Sequence, residues 1–156
     1  MNKIFEKQMK DILKDEYDDF MVSLTQPNIK AFYLNPQKKN VLNYLNQEYI
    51  KPHVVVKNGY YFDYEHYPLG KSPFFACGAY YIQEPSAMLV SHFLDVKEDD
   101  YILDMCAAPG GKTCAVASRL SQQGLMIAND IVSFAGKNSF RECRKICFTK
   151  YDCNQL

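Results

Sequence analysis

Gly110 and Gly111 stand in the run Tyr101-Ile-Leu-Asp-Met-Cys-Ala-Ala-Pro-Gly-Gly-Lys-Thr113, where an apolar stretch stops in small residues and restarts as Lys-Thr-Cys-Ala-Val-Ala. Residue types in that order read as strand, glycine loop and helix. Neither glycine has a Cβ to keep a ligand off the backbone. The free N–H groups of the first helical turn, from about Gly111 to Cys114, are expected to face that ligand. This is the chemistry of holding a nucleotide-like cofactor. A second apolar run, Leu125-Met-Ile-Ala-Asn-Asp130, ends in an acid 20 residues after Gly110. In dinucleotide folds an acid near that position takes the ribose hydroxyls. An aspartate that only caps a turn gives the same pattern.

Three cofactor classes compete for such a loop. The dinucleotide fingerprint G-x-G-x-x-G is absent, which argues against a nicotinamide or flavin enzyme. The phosphate loop G-x-x-x-x-G-K-[ST] is one residue away: Gly111-Lys112-Thr113 matches, but Cys106 stands where the first glycine belongs. Pro109 also removes a backbone N–H from a loop that works by presenting several to phosphates. A nucleotide triphosphatase is the second reading. The first is S-adenosyl-L-methionine, which carries no phosphates and therefore asks for close backbone approach and shape, with a proline tolerated.

The elements that must position this loop are legible on both sides of it. Ile102 and Leu103 suit a buried strand. Lys112 to about Ser121 suits a helix stopped at Gln122-Gln123-Gly124, and the run at Leu125 completes a β–α–β unit. Upstream, Ala79 to Met88 leads with Pro85 into a helix running to about Leu94. Tyr67 to Gly78, rich in Pro, Gly and aromatic residues, reads as a connecting loop. Near the start, Phe5, Met9, Leu13, Tyr17 and Met21 recur at i, i+4 with charged residues opposite, the mark of one amphipathic helix of about 20 residues. Gln26-Pro27-Asn28 ends it. Ile29 to Asn35 then reads as a strand, Pro36 to Leu45 as a turn and short helix, and His53 to Tyr64 as strand material around an Asn58-Gly59 turn.

The 156 residues are 47% hydrophobic and 23% charged, an ordinary globular composition. No apolar stretch approaches the roughly 20 residues of a membrane span, and the N-terminus lacks a signal-peptide core, so a cytoplasmic protein is expected. The six cysteines form no C-x-x-C pair and read as reduced thiols. Net charge is zero but uneven: +1 over residues 1–71, −4 over 72–132 and +3 over 133–156. Lys30, Lys38, Lys39, Lys51 and Lys57 are interleaved with Phe32, Tyr33, Tyr44 and Tyr49, with Glu48 the one acid among them. Cations beside aromatic faces suit a phosphate backbone with unstacked bases; a solvated face over a small aromatic core gives the same composition.

Tyr81-Ile-Gln-Glu-Pro-Ser-Ala-Met88, Leu103-Asp-Met-Cys-Ala-Ala-Pro-Gly-Gly-Lys-Thr113 and Ala128-Asn-Asp130, in that order and spacing, resemble successive signatures of the Sun-type RNA cytosine-C5 methyltransferases. The resemblance covers residues 1 to about 132 and points to the bacterial ribosomal-RNA branch. It implies an α/β fold: an N-terminal α+β RNA-contacting module over residues 1–75, then, over 76–132, the first β-α-β part of a Rossmann-like S-adenosylmethionine methyltransferase fold, truncated. It further implies that Cys106, Ala107, Ala108, Pro109, Gly110, Gly111 and Lys112 form the S-adenosyl-L-methionine loop and that Asp130 binds the ribose. Asp104 would organise the loop. The implied partner is ribosomal RNA, with transfer RNA the alternative.

In that family a cysteine thiolate adds to cytosine C6 and a second cysteine helps release the product. The resemblance places them in a Pro-Cys and a Thr-Cys segment later in the fold. No Pro-Cys follows Pro109, and Thr113-Cys114 belongs to the loop's own helix. Residues 133–156 follow no family pattern and no sustained period, which suggests out-of-frame translation after residue 132, with a genuine interaction tail as the alternative. The expectation is a chain inactive by itself; an RNA-binding module without catalysis is the competing reading.

Overall fold

The computed structural model describes residues 2–130 together with the backbone of Tyr151–Asp152. The chain opens with α1 (Lys3–Leu13), a 3-10 turn over Lys14–Glu16 and α2 (Tyr17–Ser23). Asn2 caps α1 by accepting the Ile4 N–H at 2.8 Å. The single long helix expected here is broken at Lys14, whose φ of 48° no helix accommodates. In a straight helix Phe5 and Phe20 would lie about 22 Å apart along the axis. The break lets their rings meet at 6.3 Å, so the two helices touch through this aromatic pair. No residue of α1 or α2 is buried.

The first sheet has the order β2-β3-β1-β4, all antiparallel, from β1 (Lys30–Leu34), β2 (Ile50–Pro52), β3 (Gly59–Phe62) and β4 (Tyr80–Gln83). β1 is paired on both edges, Phe32 standing opposite Tyr60 on one side and Ile82 on the other. Strand pairing starts at Ile50, before the expected His53, and the turn is the whole of residues 53–58. There the His53 Nδ1 accepts the N–H groups of Val55 and Val56 at 3.1 and 3.0 Å, folding the loop back on the imidazole. The expected loop at 67–78 holds a 3-10 turn (Leu69–Lys71) and α3 (Pro73–Ala76), with Ser72 as N-cap and Pro73 at the first helical position. β4 lies past residue 75 yet completes the first sheet, so that sheet crosses the expected boundary between modules.

The second half runs through α4 (Ala87–Phe93), β5 (Tyr101–Asp104), α5 (Gly111–Ala117) and β6 (Leu125–Ala128), with β7 (Tyr151–Asp152) last. β5, β6 and β7 pair in parallel in that order, Leu103 opposite Ile127 and Met126 opposite Tyr151. The remaining expectations for residues 133–156 lie outside the described residues. Among those described, no helix is long and apolar enough to cross a membrane.

β1 joins the two halves because it is buried on both faces. Phe32 and Leu34 point into an aromatic core with Phe62, Leu69 and Tyr80. Ala31 and Tyr33 point the other way, onto Met88 of α4 and Ala115 of α5. The Gln37 amide adds a polar link, donating to the Ser118 and Leu120 carbonyls beyond the end of α5 at 3.2 and 3.4 Å. β5 departs from expectation: Leu103 is 58% exposed and Tyr101 80%. Parallel strands are buried when helices cover both faces, and here α5 covers one face while the outer edge of β5 pairs with no described residue. Phe32 is fully buried with its ring 5.0 Å from that of Tyr80. Phe32→Ala is expected to cost about 3–5 kcal/mol of stability, read as a lowered midpoint in urea unfolding followed by circular dichroism.

Candidate cofactor site

The loop between β5 and α5 is tied at both ends to Asp104. Its Oδ1 accepts the Cys106 N–H at 3.1 Å and its Oδ2 accepts the Thr113 hydroxyl at 2.6 Å. One carboxylate therefore joins the end of the strand to the start of the helix, the organising role expected of it. The far side of the loop is bonded to the chain after β6. The Ala107 N–H donates to the Asn129 carbonyl and the Ala108 N–H to Asp130 Oδ2, each at 2.9 Å. The Asn129 N–H returns a bond to the Asp104 carbonyl at 2.7 Å.

All eight expected site residues are thus gathered at one end of the parallel strands, where open α/β sheets bind ligands. Gly110 has a φ of 109°, open to glycine alone, and there the backbone turns into α5. The helix starts at Gly111, one residue before the expected position, and stops at Ala117. Two expectations are corrected. The Cys114 N–H is not free, because it donates to the Gly110 carbonyl at 2.8 Å. The space left by the missing Cβ of Gly111 is taken by protein: a Cβ there would lie 2.9 Å from Gln83 Cδ and Nε2 and 3.1 Å from Tyr81 Cε1. Side chains of β4, from the first sheet, lie across the first turn of α5, and the Tyr81 hydroxyl donates to the Pro109 carbonyl at 3.3 Å.

Between β4 and the loop lies a cavity of about 230 Å3, bordered by Gln83, Glu84, Cys106, Pro109 and Lys112 among others. Gln83 and Glu84 come from the Gln-Glu-Pro-Ser-Ala-Met run, outside the loop residues expected at the site. The Gln83 Oε1 is buried with no hydrogen-bond partner among the described residues, an arrangement that costs about 1–3 kcal/mol until a donor arrives. Glu84 accepts from the Ser86 hydroxyl and from the Ala87 N–H at 2.9 Å. The Ser86 hydroxyl foremost holds its carboxyl below the usual range, so it is ionised at neutral pH. Cys106 is exposed and Cys114 buried.

A larger groove of about 770 Å3 lies on the other side of the end of β4, between Lys30, His53, Val54 and Tyr61, and shares Ile82, Gln83 and Glu84 with the first cavity. The His53 ring stacks on Tyr61 at 5.0 Å. Of the aromatics interleaved with lysines, Phe32 and Tyr33 are core residues, Tyr49 is half-buried against Tyr67, and Tyr44 is 75% exposed. The aromatic-core reading therefore holds for Phe32 and Tyr33.

A parallel β–α–β unit with its loop clamped between two aspartates, built onto an antiparallel sheet, defines a mixed α/β chain of the kind found in Sun-type methyltransferase structures. The fold is similar to that of a methyltransferase homolog protein from Pyrococcus horikoshii, with a TM-score of 0.79 and 23% identity over 97% of this chain and 52% of that one. It is similar also to NSun6 from Pyrococcus horikoshii, solved with SFG, with a TM-score of 0.80 and 16% identity over 99% of this chain and 65% of that one. The chain belongs to the 16S rRNA methyltransferase RsmF family: residues 1–85 match the N-terminal domain of 16S rRNA methyltransferase RsmF, and residues 91–153 match 16S rRNA methyltransferase RsmB/F. The second match crosses residue 132 and runs through most of the segment set apart above.

Among curated relatives, ribosomal RNA small subunit methyltransferase F of Vibrio vulnificus strain YJ016 is 34% identical over 122 residues, covering 72% of this chain and 26% of the relative. That of Vibrio cholerae strain M66-2 is 31% identical over 137 residues, covering 81% and 29%. The chain spans about a quarter of the length of these relatives.

Gly111→Ala is expected to lower stability by about 1–3 kcal/mol, because the new methyl meets the Gln83 amide. Adding Gln83→Ala should restore most of the loss. A double-mutant cycle of thermal unfolding checks this; additive losses would show that the two residues do not compete for the same space.

Proposed function

We propose that the loop Cys106 to Lys112 and Asp130 hold S-adenosyl-L-methionine, in a chain whose family methylates cytosine C5 of ribosomal RNA in the cytoplasm. The observation that carries the reading is the double clamp, Asp104 to Thr113 and Asp130 to Ala108, which sets the loop and the Asp130 carboxylate side by side. The similar fold of NSun6 adds support, since the SFG with which that protein was solved is an analogue of S-adenosylmethionine. When bound, the cofactor supplies an electrophilic methyl group. The chain's own residues approach it with backbone at Ala107 to Gly110, the Lys112 ammonium and the Asp130 carboxylate.

The triphosphatase reading loses its support at Thr113. A phosphate loop needs that hydroxyl on a metal ion. Here it is fully buried and donated to Asp104. The Pro-Cys segment in which the family resemblance places the attacking thiolate does not occur in residues 110–156. The RNA-facing side of the reading rests on the groove beside β4, lined by Lys30 and the stacked His53–Tyr61 pair and sharing Ile82, Gln83 and Glu84 with the cavity beside the loop, with Lys51 and Lys57 exposed.

Calorimetric titration of the chain with S-adenosylhomocysteine should show one-to-one binding, reduced about tenfold or more by Asp130→Ala through loss of a charge-assisted hydrogen bond. ATP bound as tightly as S-adenosylhomocysteine would overturn the cofactor reading. Ribosomal RNA fragments should bind with an affinity that falls steeply between about 50 and 200 mM salt, and Lys51→Glu with Lys57→Glu should flatten that slope in filter binding.

A further inference from the structure

The groove between β1, the turn over residues 53–58 and the start of α4 has walls that do not suit a phosphate. Its volume of about 770 Å3 is that of a ligand pocket, and most of its lining is uncharged, with Ile29, Val54, Val55, Ile82 and Leu89 around the Tyr61 ring. Lys30 and Glu84 are the charged residues among those walls. Lys30 carries its ammonium 5.8 Å over the centre of the Tyr64 ring, and Tyr64 is not part of the groove. Glu84 is ionised at neutral pH, held so foremost by the Ser86 hydroxyl. A phosphate entering here meets an anion, whereas a flat uncharged ring meets apolar side chains and an aromatic stack.

His53 supplies the second ring of that stack. Its Nδ1 accepts the Val55 and Val56 N–H groups, which requires that nitrogen to be unprotonated and puts the ring's proton on Nε2. The imidazole is thereby fixed by its own turn, and it lies on Tyr61 with the two planes 18° apart. Held in this way it is a stacking platform and a hydrogen-bond donor, not a cation for a phosphate. The cations stand outside the groove. Lys51 is directly opposite Tyr61 on the neighbouring strand, and Lys57 is exposed on the turn itself.

We propose that the groove receives one unpaired RNA base, stacked with the His53–Tyr61 pair, while Lys51 and Lys57 hold the phosphates that flank it. The proposal rests on the RNA reading above and gives it a substrate class, a strand with an unstacked nucleotide rather than a regular duplex. In a duplex both faces of each base are covered by its neighbours, so no ring is free to enter. An aromatic stack takes any base, because every base has a π-face, and the groove therefore selects unpaired structure more than sequence. It is a different place from the cofactor cavity, which lies on the other side of the end of β4 and shares only Ile82, Gln83 and Glu84 with it. The base it holds is distinct from the one that reaches the cofactor loop.

The test titrates the full chain into a labelled, short single-stranded oligoribonucleotide and into the same strand annealed to its complement, followed by fluorescence anisotropy. The single strand should bind about tenfold or more tightly than the duplex at equal salt, although the duplex carries more charge. His53→Asn, whose amide oxygen can still accept from the turn but which has no ring, should weaken the single strand about tenfold and leave the duplex and the salt slope unchanged. Tyr61→Leu, which keeps an apolar side chain against Ala31 and Val56, should do the same and guards against an effect on the turn. Independently of any variant, the emission of a 2-aminopurine placed in the single strand should fall on binding, as its ring stacks. If RNA binds but the single strand has no advantage, or the advantage persists in both variants, or the emission does not fall, the proposal is overturned while the RNA reading stands. If neither RNA binds the unaltered chain, the RNA reading falls and takes the proposal with it.

Discussion

The missing Cβ of Gly111 lets Tyr81 and Gln83 lie across the first turn of α5, and on that close approach the geometry of the ligand side depends. Strand β4 is the outer strand of the antiparallel sheet, held to β1 through four residue pairs from Ala31–Gln83 to Leu34–Tyr80. With Gly111 giving way, that outer strand becomes one wall of a cavity whose opposite wall is the loop. The Tyr81 hydroxyl bonded to Pro109 closes the same contact from its other end. A Cβ at residue 111 would meet the end of the Gln83 side chain and the edge of the Tyr81 ring and push them aside.

Around this contact the energetics divide unevenly. β1 buries Phe32 and Leu34 into an aromatic core on one face and Ala31 and Tyr33 against α4 and α5 on the other, so the two sheets are parts of one packed body. Apolar burial of that kind dominates the favourable side of folding. Away from it the molecule is loosely covered. α1 and α2 keep Ile4, Ile12 and Val22 more than half exposed, and Tyr101, Leu103 and Met105 line an open face and edge of β5. Polar bonds at the loop are few but directional: Asp104 reaches both ends of the turn, and Asp130 reaches its middle. They set the shape of the loop, while the apolar contacts hold the elements that carry it.

Several features were legible from residue order because they are local. Strand, glycine turn, helix and strand from Tyr101 to Asp130 follow from an apolar run, small residues and a second apolar run, and β5 and β6 pair in parallel as that pattern requires. The face of the opening helix is also right, since Phe5, Met9, Leu13, Tyr17 and Met21 are all half-buried. Other features were hidden because they depend on distant partners. The break at Lys14 answers a contact between Phe5 and Phe20, and periodicity continues smoothly through it. Leu103 looks buried by type and is exposed because nothing described covers its side of the sheet. Phe32 and Tyr33 look like a stacking surface beside lysines and are core, since β1 has neighbours on both edges and both faces.

The amino-acid order by itself determined the loop, its helix, the two parallel strands and the acid at residue 130, together with the family they signal. Each is written in consecutive residues, where backbone sterics and hydrophobic period act over a few positions. Only the tertiary structure decided that β4 belongs to the first sheet yet forms a wall of the second half's cavity. The same holds for Gly111, which accommodates Gln83 where a ligand was expected, and for Asp130, which grips the Ala108 N–H. Those facts come from pairings between residues 22 to 52 positions apart, Ala108 with Asp130 and Ala31 with Gln83, and long-range partners of that kind leave no mark in local periodicity.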